Sequence, residues 1–199
     1  MDFDSAAYWE RRYSTGRNSG AGSYGRLAAF KARVLNDFIA EKSVASVIDF
    51  GCGDGNQLSL MRPLPYLGVD VSKRAVADLR ARYAGEPLYR FVLRGELAAG
   101  ERGDLALSLD VIYHLVEDAV YETYMRGLFD HAGRYVVIYS SNREARYAGS
   151  HIRHRAFGGW IARERPGWRA LRHVPNPYPW DPADKAETSF ADFHLYERG

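Results

Sequence analysis

The segment Val47–Leu58, with the sequence VIDFGCGDGNQL, restricts the fold of this chain more than any other part of it. Its first residues are apolar, as in a buried strand. Three alternating glycines follow at once, Gly51, Gly53 and Gly55. Glycine is required where the backbone turns sharply or passes close to a ligand, because a Cβ atom would intrude there. The pattern predicts a strand, a tight turn and a helix that begins near Asn56.

Strand-like and helix-like segments alternate along the rest of the chain. Short apolar runs that predict strands occur at Val44–Phe50, Tyr66–Val71, Leu88–Leu93, Leu105–Leu109, Arg134–Tyr139, Trp168–Val174 and Ser189–Tyr196. Apolar residues at helical spacing predict helices at Ala6–Tyr13, Ala75–Tyr83, Glu117–Phe129 and from Ser150 to about Glu164, with a further one around Leu27–Phe38. The alternation indicates an α/β fold with a mostly parallel sheet and helices on both faces, closed by an antiparallel pair at the end.

Length and composition limit the remaining possibilities. A chain of 199 residues with 46% hydrophobic content fits one domain, which we expect to span 1–199, with N-terminal helices in 1–42 and an α/β core in 43–199. No apolar stretch is long enough for a membrane span, and we expect a cytoplasmic protein. The net charge of +2 argues against a nucleic-acid partner. The single cysteine, Cys52, excludes an internal disulfide and a cysteine-rich metal site.

An acidic residue completes the pattern that the glycines begin. Asp70 ends the second predicted strand, 19 residues after Gly51, where a carboxylate can accept hydrogen bonds from both ribose hydroxyls of an adenosine-bearing cofactor. A dinucleotide requires the spacing G-x-G-x-x-G, and the third glycine of that motif would fall on Asn56. Asp49 also adds a negative charge just before the loop, which suits a cationic ligand better than a pyrophosphate. Binding of NAD remains an alternative.

These motifs resemble those of class I S-adenosylmethionine methyltransferases. DFGCGDG resembles the first motif of that family, Asp70 resembles the acid at the end of its second strand, and DLALSLDVIYHLVED at Asp104–Asp118 resembles its fourth motif. The resemblance implies a Rossmann-like fold whose seven-stranded sheet has an antiparallel last strand. It also implies S-adenosylmethionine as cofactor and S-adenosylhomocysteine as product. More narrowly, YWERRY, GAGSYGRLAAFK, YSSN and TSFADF resemble short methyltransferases associated with bacterial surface-glycan clusters.

The resemblance also implies which residues contact the cofactor. The glycine loop and Asp49 would face the methionine part, Asp70 the ribose, and the segment after the third strand the adenine, with Glu96 accepting from its amino group. Asp110 would line the space near the sulfonium, and the aromatic N-terminal helix would close over the cofactor. The predicted contacts are Trp9, Tyr13, Asp49, Gly51, Cys52, Gly53, Gly55, Asn56, Gln57, Asp70, Val71, Glu96, Leu97 and Asp110.

Methyl transfer to a hydroxyl or ammonium also requires that the acceptor loses a proton. His114 is the first candidate for the base, because its unperturbed pKa lies near neutral pH and it follows the fourth strand. A packing or cofactor-shaping role is the alternative. Tyr113 beside it would orient a substrate or pack.

The acceptor itself is indicated only by a charge asymmetry. Arginines and histidines crowd between Asn142 and Arg172, and on a helix His151 and His154 would share one face. With their neighbours they form a candidate site for a small-molecule acceptor that is anionic or a carbohydrate, such as a sugar phosphate or glycan end, and a solvated basic face is the alternative. The predicted substrate-binding residues are Tyr24, Arg26, Arg143, His151, His154 and Arg155. No metal is expected, since Ser140-Ser141-Asn142 stands where metal-dependent relatives have an Asp-Asn pair.

Two other classes of function stay open at this point. One is a methyltransferase that acts on protein or nucleic acid, although the chain has no N-P-P-Y-type motif for a flipped base. The other is a non-catalytic subunit that binds S-adenosylmethionine. Turnover of the cofactor distinguishes this subunit from an enzyme.

Overall fold

The computed structural model describes residues 3–147 and 151–199, which contain five α-helices and nine strands. The helices are α1 (Ser5–Ser14), α2 (Gly25–Glu41), α3 (Lys73–Arg82), α4 (Asp118–Asp130) and α5 (Phe157–Glu164). The strands are β1 (Val47–Phe50), β2 (Tyr66–Asp70), β3 (Tyr89–Leu93), β4 (Gly103–Leu109), β5 (Ala132–Ser140), β6 (Ala145–Arg146), β7 (Arg153–His154), β8 (Trp168–Val174) and β9 (Asp192–Arg198).

Seven of these strands form one sheet in the order β3-β2-β1-β4-β5-β9-β8. The first five in this order are parallel, and β9 runs antiparallel to both of its neighbours. The short strands β6 and β7 pair separately. The seven predicted strands and the antiparallel pair at the end of the chain are therefore confirmed, and so is the Rossmann-like α/β fold.

Helices cover both faces of the sheet. Apolar side chains of α2 and α3 pack in one core cluster, and those of α4 and α5 pack in the other. Strand β1 lies in the middle and is buried throughout, with Val47 in the first cluster and Ile48 in the second. The alternation of side chains along a strand explains how one short apolar run serves two cores. Because β1 is central, the loop that follows it emerges at the middle of the sheet edge.

The prediction of an α-helix beginning near Asn56 is wrong. The chain forms turns after Phe50 and then a single 3₁₀ turn at Leu58–Leu60 before β2 begins. The connection is short and contains Pro63 and Pro65. A proline disfavours the helical conformation of the residue before it and lacks an N–H group, so few residues remain that can form a helix.

The predicted helix from Ser150 to about Glu164 is wrong in its first half. Ser150 lies outside the described residues, and α5 begins only at Phe157. Arg153 and His154 form β7, which pairs with β6, so His151 and His154 do not share a helix face. Tertiary contacts override the local pattern here, because the guanidinium groups of Arg153 and Arg155 donate to backbone carbonyls beyond β4.

Within the described residues, every helix is too short or too polar to pass through a membrane.

Candidate active site

A cavity of about 440 Å³ lies at the carboxyl ends of β1, β2 and β4, with α1 covering it. This edge of a parallel sheet is where ligands bind in α/β folds. Nine of the predicted cofactor contacts line the cavity, together with the predicted base His114: Trp9, Tyr13, Asp49, Gly51, Cys52, Gln57, Asp70, Val71 and Asp110. The structure thus brings together residues that the sequence separates by about a hundred positions.

The glycine loop has a backbone that other residues rarely adopt. The φ angles of Gly51, Gly53 and Gly55 are 82°, 57° and 73°. A Cβ atom on Gly51 would approach Val111 Cγ2 to 2.5 Å, and one on Gly53 would approach the Tyr13 hydroxyl to 2.8 Å. Both the left-handed backbone and the lack of space therefore require glycine at the cavity wall.

The N–H groups of this loop are used within the protein. Those of Gly51 and Cys52 donate to the Val69 carbonyl, and that of Gly53 donates to Asp70 Oδ2. The next three N–H groups donate to Ser19 Oγ, the Cys52 carbonyl and Asp54 Oδ1. Because these N–H groups already have acceptors and no α-helix begins here, the loop offers no phosphate cradle of the kind that a pyrophosphate requires.

Asp49 is a buried carboxylate with one oxygen available to a ligand. Its Oδ2 accepts a hydrogen bond of 2.7 Å from the Tyr66 hydroxyl, while its Oδ1 has no partner among the described residues. Burial raises the pKa of Asp49 to about 6, because the charged form loses hydration. An unpaired buried carboxylate oxygen at a cavity wall is the feature that a ligand ammonium or sulfonium would compensate.

Asp70 lies at the end of β2 and helps to hold the loop. Its Oδ2 accepts from the Gly53 N–H at 2.9 Å and its Oδ1 from the Ser72 N–H at 2.9 Å. Burial raises its pKa, while these two hydrogen bonds act in the opposite direction. Each carboxylate oxygen can accept a second hydrogen bond, so Asp70 retains capacity for hydroxyl groups of a ligand.

Among the charged side chains that line the cavity, acidic ones outnumber basic ones. Six carboxylates line it, against two basic side chains, Lys31 and Arg94. The carboxylates are Asp4, Asp49, Asp54, Asp70, Asp110 and Glu117. A cavity of this charge attracts a cationic ligand and disfavours one that carries several negative charges.

The predicted residues Asp110 and Tyr113 belong to a hydrogen-bonded group beyond β4 whose third member, Lys31, was not predicted. Lys31, on α2, reaches Asp110 Oδ2 at 2.5 Å, and the Tyr113 hydroxyl donates to Asp110 Oδ1 at 2.7 Å. The signal in the sequence was the spacing Leu27-Lys31-Leu35, which puts a lysine on the buried face of a helix. Tyr113 itself is buried, and burial next to Asp110 raises its pKa.

His114 lies in the wall as a neutral ring. Burial lowers its pKa to about 4. Its Nδ1 lies 3.3 Å from the His151 carbonyl oxygen, which favours the tautomer protonated at Nδ1 and leaves Nε2 as a hydrogen-bond acceptor. The ring stacks on His151 with a centroid distance of 5.4 Å and contacts Trp9 edge-on at 4.9 Å. His151 therefore supports the predicted base and is absent from the cavity wall.

The N-terminal segment is fastened over the cavity by three sets of hydrogen bonds. Ser5 donates to Glu117 through its N–H and its hydroxyl, and Glu10 accepts from the Ser72 hydroxyl at 2.7 Å. Asp54 Oδ2 accepts from the Ser19 N–H at 2.7 Å and from the Tyr24 hydroxyl at 2.8 Å. Helix α1 and the segment that follows it thus lie over the cavity, and Asp54, which was not predicted, links this segment to the glycine loop.

Several predicted site residues lie outside the cavity wall. Glu96 forms an ion pair with Arg80 and accepts from the Leu93 N–H, so its carboxylate stabilises the turn after β3. Arg94, which was not predicted, lines the cavity at that end. The other predicted cofactor contacts that do not line the cavity are Gly53, Gly55, Asn56 and Leu97.

The predicted substrate-binding residues also lie outside this wall, and most have partners in the protein. Arg26 bonds to the Glu187 carbonyl and pairs with Asp184. Arg143 lies 3.0 Å from His154 Nε2. Arg155 is 6% exposed, pairs with Asp118 and donates to the Leu115 and Val116 carbonyls. The Arg155 contacts hold the segment around β7 against the chain beyond β4, whereas Arg143 and His154 join two parts of that segment.

Comparison with known proteins gives a family and a fold. The sequence profile of a family described as a methyltransferase domain matches residues 23–177. A search of curated protein sequences finds no match. The N-methyltransferase NodS from Bradyrhizobium japonicum WM9, solved in complex with S-adenosyl-L-homocysteine, is 14% identical with a TM-score of 0.73, and the match covers 98% of this chain and 99% of that one.

Two further solved structures share the fold at low identity. Magnesium protoporphyrin IX methyltransferase (ChlM) from Synechocystis PCC 6803 with bound SAH is 13% identical with a TM-score of 0.68, and 98% of each chain is covered. The methyltransferase domain of a bacterial CtHen1 is 19% identical with a TM-score of 0.63, covering 85% of this chain and 97% of that one. One of these proteins is named for magnesium protoporphyrin IX and another as an N-methyltransferase, so the shared fold does not identify an acceptor.

Proposed function

This chain belongs to the methyltransferase-domain family, is an S-adenosylmethionine-dependent methyltransferase, and we propose that it methylates an oxygen of a small polar acceptor. The observation that carries the proposal is the acidic cavity under α1, whose glycine loop lacks a phosphate cradle and whose Asp49 keeps one oxygen unpaired. These features suit a cofactor that carries a sulfonium and an ammonium, and they argue against a dinucleotide.

We assign the cofactor contacts by the polarity of each wall. Asp49 Oδ1 would accept from the ammonium of the methionine part, and the free acceptor positions of Asp70 would take the ribose hydroxyls. Val71 and Arg94 lie at the ends of β2 and β3, on the side proposed for the adenine. When bound, the sulfonium provides a methyl group that is activated for in-line displacement.

The proposed reaction forms a carbon–oxygen bond and breaks the carbon–sulfur bond, whose electron pair stays on sulfur. The acceptor hydroxyl loses its proton, and we propose Nε2 of His114 as the first group that receives it before it passes to water. Since the pKa of His114 is lowered to about 4, the ring is neutral at pH 7 and ready to accept a proton, although it is a weak base. Turnover should therefore show no titration of His114 between pH 5.5 and 8.

Size and charge both limit the proposed acceptor. A cavity of about 440 Å³ is at the small end of ligand sites, which range over about 300–1,000 Å³, and the cofactor would take up much of it. The acidic wall favours a neutral acceptor over the anionic one that the Arg/His-rich segment had indicated. A carbohydrate hydroxyl remains within the proposal, and a link to glycan-cluster enzymes is compatible with it. We also propose that 1–199 act as one domain, with 1–42 as the lid region and 43–199 as the core.

The test is incubation with S-adenosylmethionine labelled in its methyl group, using neutral monosaccharides and polyols, sugar phosphates and hydroxy acids as acceptors. We expect a labelled product with a neutral hydroxylated compound, formed more slowly by Asp49→Asn at the same subsaturating cofactor concentration. Label that enters only protein or RNA would contradict a small acceptor. Binding of S-adenosylhomocysteine without turnover on any acceptor would favour the non-catalytic subunit.

A further inference from the structure

Lys31 is an unusual residue for the buried face of a helix. Its side chain is 1% exposed, it lies between the apolar positions Leu27 and Leu35, and it lines the cavity. A buried ammonium is unfavourable unless charge and hydrogen bonds compensate it. Its place at the cavity wall suggests that part of this compensation comes from a ligand.

The partner of Lys31 is held in a strained conformation. Asp110 has a φ of 61°, one of two positive values among the non-glycine residues that the structure describes. Its N–H donates to the Tyr139 carbonyl at 2.9 Å, and its side chain receives hydrogen bonds from Lys31 and Tyr113. Strain of this kind persists where the surrounding structure fixes it, and it is concentrated at functional sites.

The hydrogen bonds of this pair leave capacity on both partners. An ammonium has three donors, and among the described residues Lys31 Nζ uses one of them, on Asp110. A carboxylate has about four acceptor positions, and Asp110 uses two. The pair therefore presents donors and acceptors side by side, with no net charge. A hydroxyl group, which both donates and accepts, matches this arrangement, whereas an anion would be attracted by Lys31 and repelled by Asp110.

We propose that Lys31 and Asp110 together bind the methyl acceptor, with Lys31 donating to one acceptor oxygen and Asp110 accepting from a neighbouring hydroxyl. The pair then selects a neutral compound with adjacent hydroxyl groups, such as a polyol or an uncharged sugar. This inference rests on the proposed function, because it assigns the acceptor part of the same cavity. A purely structural pair would instead only join α2 to the end of β4.

The first test places Lys31 relative to the transferred methyl group and requires no known acceptor. The probe is sinefungin, an analogue of S-adenosylmethionine in which a carbon bearing an amine replaces the methylated sulfur. Its ammonium therefore reports the charges next to the transfer position. Calorimetric titration compares sinefungin with S-adenosylhomocysteine on the wild-type protein, on Lys31→Met and on Arg94→Met. The last variant is the matched control, which removes a cation from the other end of the same cavity.

We expect Lys31→Met to improve the affinity for sinefungin relative to S-adenosylhomocysteine by about tenfold, since the probe's ammonium loses a like charge and faces Asp110. Arg94→Met should leave this ratio unchanged. A ratio within about twofold of wild type in Lys31→Met would overturn the proposal. If thermal melting shows that Lys31→Met does not fold, Lys31→Gln removes the same charge and carries the same expectation. Failure of the wild-type protein to bind S-adenosylhomocysteine would instead refute the proposed function.

The second test uses the labelled-methyl assay with a neutral polyol and its phosphate ester. Lys31→Met should lower kcat/KM for the neutral acceptor by about 100-fold without raising the KM for S-adenosylmethionine, and Lys31→Gln, which keeps two N–H donors, should recover part of the loss. If kcat/KM for the acceptor falls and the KM for S-adenosylmethionine rises by the same factor, the pair has only a structural role. Preference of the wild-type enzyme for the phosphate ester would contradict the selection of neutral acceptors.

Discussion

The two halves of the cavity, which we propose for the cofactor and for the acceptor, are built in different ways. The cofactor half comes from one stretch of chain, β1, the glycine loop and β2, where Asp70 is 17 positions from Gly53 and accepts its N–H. The acceptor half comes from distant elements, since Lys31 and Asp110 are 79 positions apart. A local motif can specify the first half, because the backbone itself shapes it. The second half exists only after α2 and β4 have packed together.

Backbone strain also differs between the halves. In the cofactor half the positive φ angles fall on glycines, for which they carry little penalty. In the acceptor half the positive φ falls on Asp110, which has a side chain and is held by its hydrogen bonds. The cofactor half is therefore expected to tolerate backbone changes poorly, whereas the acceptor half is expected to be sensitive to loss of charge.

The largest expected effect is on the backbone of the cofactor half. Gly51→Ala places a Cβ atom 2.5 Å from Val111 at a φ of 82°, so the loop must move away from the cavity. We expect affinity for S-adenosylhomocysteine to fall by about 100-fold or more, measured by calorimetry. The control is Gly85→Ala, which has a φ of 90° but open space around it. It should lower stability by about 1–2 kcal/mol and leave cofactor affinity unchanged. Equal affinity losses in both variants would contradict the account.

The next effect separates structural arginines from ligand-binding ones. Arg155→Ala removes the donor to the Leu115 carbonyl and one of the two donors to the Val116 carbonyl, and we expect the free energy of unfolding to fall by about 2 kcal/mol. Affinity for S-adenosylhomocysteine in the remaining folded protein should change little. Arg163→Ala, on an exposed part of α5, should have almost no effect on either quantity. A stable Arg155→Ala protein that loses only acceptor turnover would restore the original substrate-binding assignment. Chemical denaturation with calorimetry distinguishes these outcomes.

A smaller effect tests the charge of the cofactor half. Asp49→Asn keeps the shape of the side chain and removes the charge, which should weaken binding of S-adenosylhomocysteine by about 10- to 30-fold at pH 7.5. In the wild-type protein affinity should decline as the pH falls below about 6, because Asp49 becomes protonated there. The Asn variant should lack this part of the pH profile. Parallel profiles for the two proteins would show that Asp49 does not face the ligand charge.

Stability of the free protein should respond to Asp49 in the opposite direction. Burial raises the folded-state pKa of Asp49 to about 6, so its contribution to stability is fully present below the unfolded-state pKa and is lost as the pH rises through about 6. Asp49→Asn should therefore melt at the same or a higher temperature than the wild-type protein at pH 7.5, despite weaker binding. A lower melting temperature at that pH would argue against burial as the cause of the raised pKa.

The smallest effect concerns the lid. Tyr24→Phe removes one hydrogen bond to Asp54 while the bond from the Ser19 N–H remains. We expect S-adenosylhomocysteine to dissociate about three times faster, as measured by stopped-flow fluorescence of Trp9 and its neighbours. Tyr147→Phe, at an exposed position away from the cavity, is the control. An unchanged dissociation rate in Tyr24→Phe would mean that Asp54 does not help to hold the lid closed.

The same contrast explains what the sequence could predict. Local patterns of apolar residues and glycines predict the strands, the loop that connects β1 to β2 and the position of Asp49. The helix predicted to begin near Asn56 does not form, because Pro63 and Pro65 limit the residues that can be helical and lie beyond the glycine pattern. Lys31 was missed because a lone lysine in a helical stripe has no local signal for its partner.

The region around β7 shows that the sequence does not reveal the partner of a charged residue. Its basic residues were interpreted as a surface for an anion, yet Arg155 turns inward to backbone carbonyls. The sequence shows that a charged residue is present, and the fold determines whether its partner is a ligand or another group of the protein. Glu96 illustrates the same point, because Arg80 and the Leu93 N–H occupy its carboxylate.

Calorimetric titration of the wild-type protein with S-adenosylhomocysteine, with NAD as the matched comparison, tests the central claim most directly. The claim is that the acidic cavity under α1 binds the methyltransferase cofactor. We expect one binding site for S-adenosylhomocysteine per chain and no heat of binding with NAD. We expect Gly51→Ala to lose this binding of S-adenosylhomocysteine. Binding of NAD, or S-adenosylhomocysteine binding that survives Gly51→Ala unchanged, would contradict it.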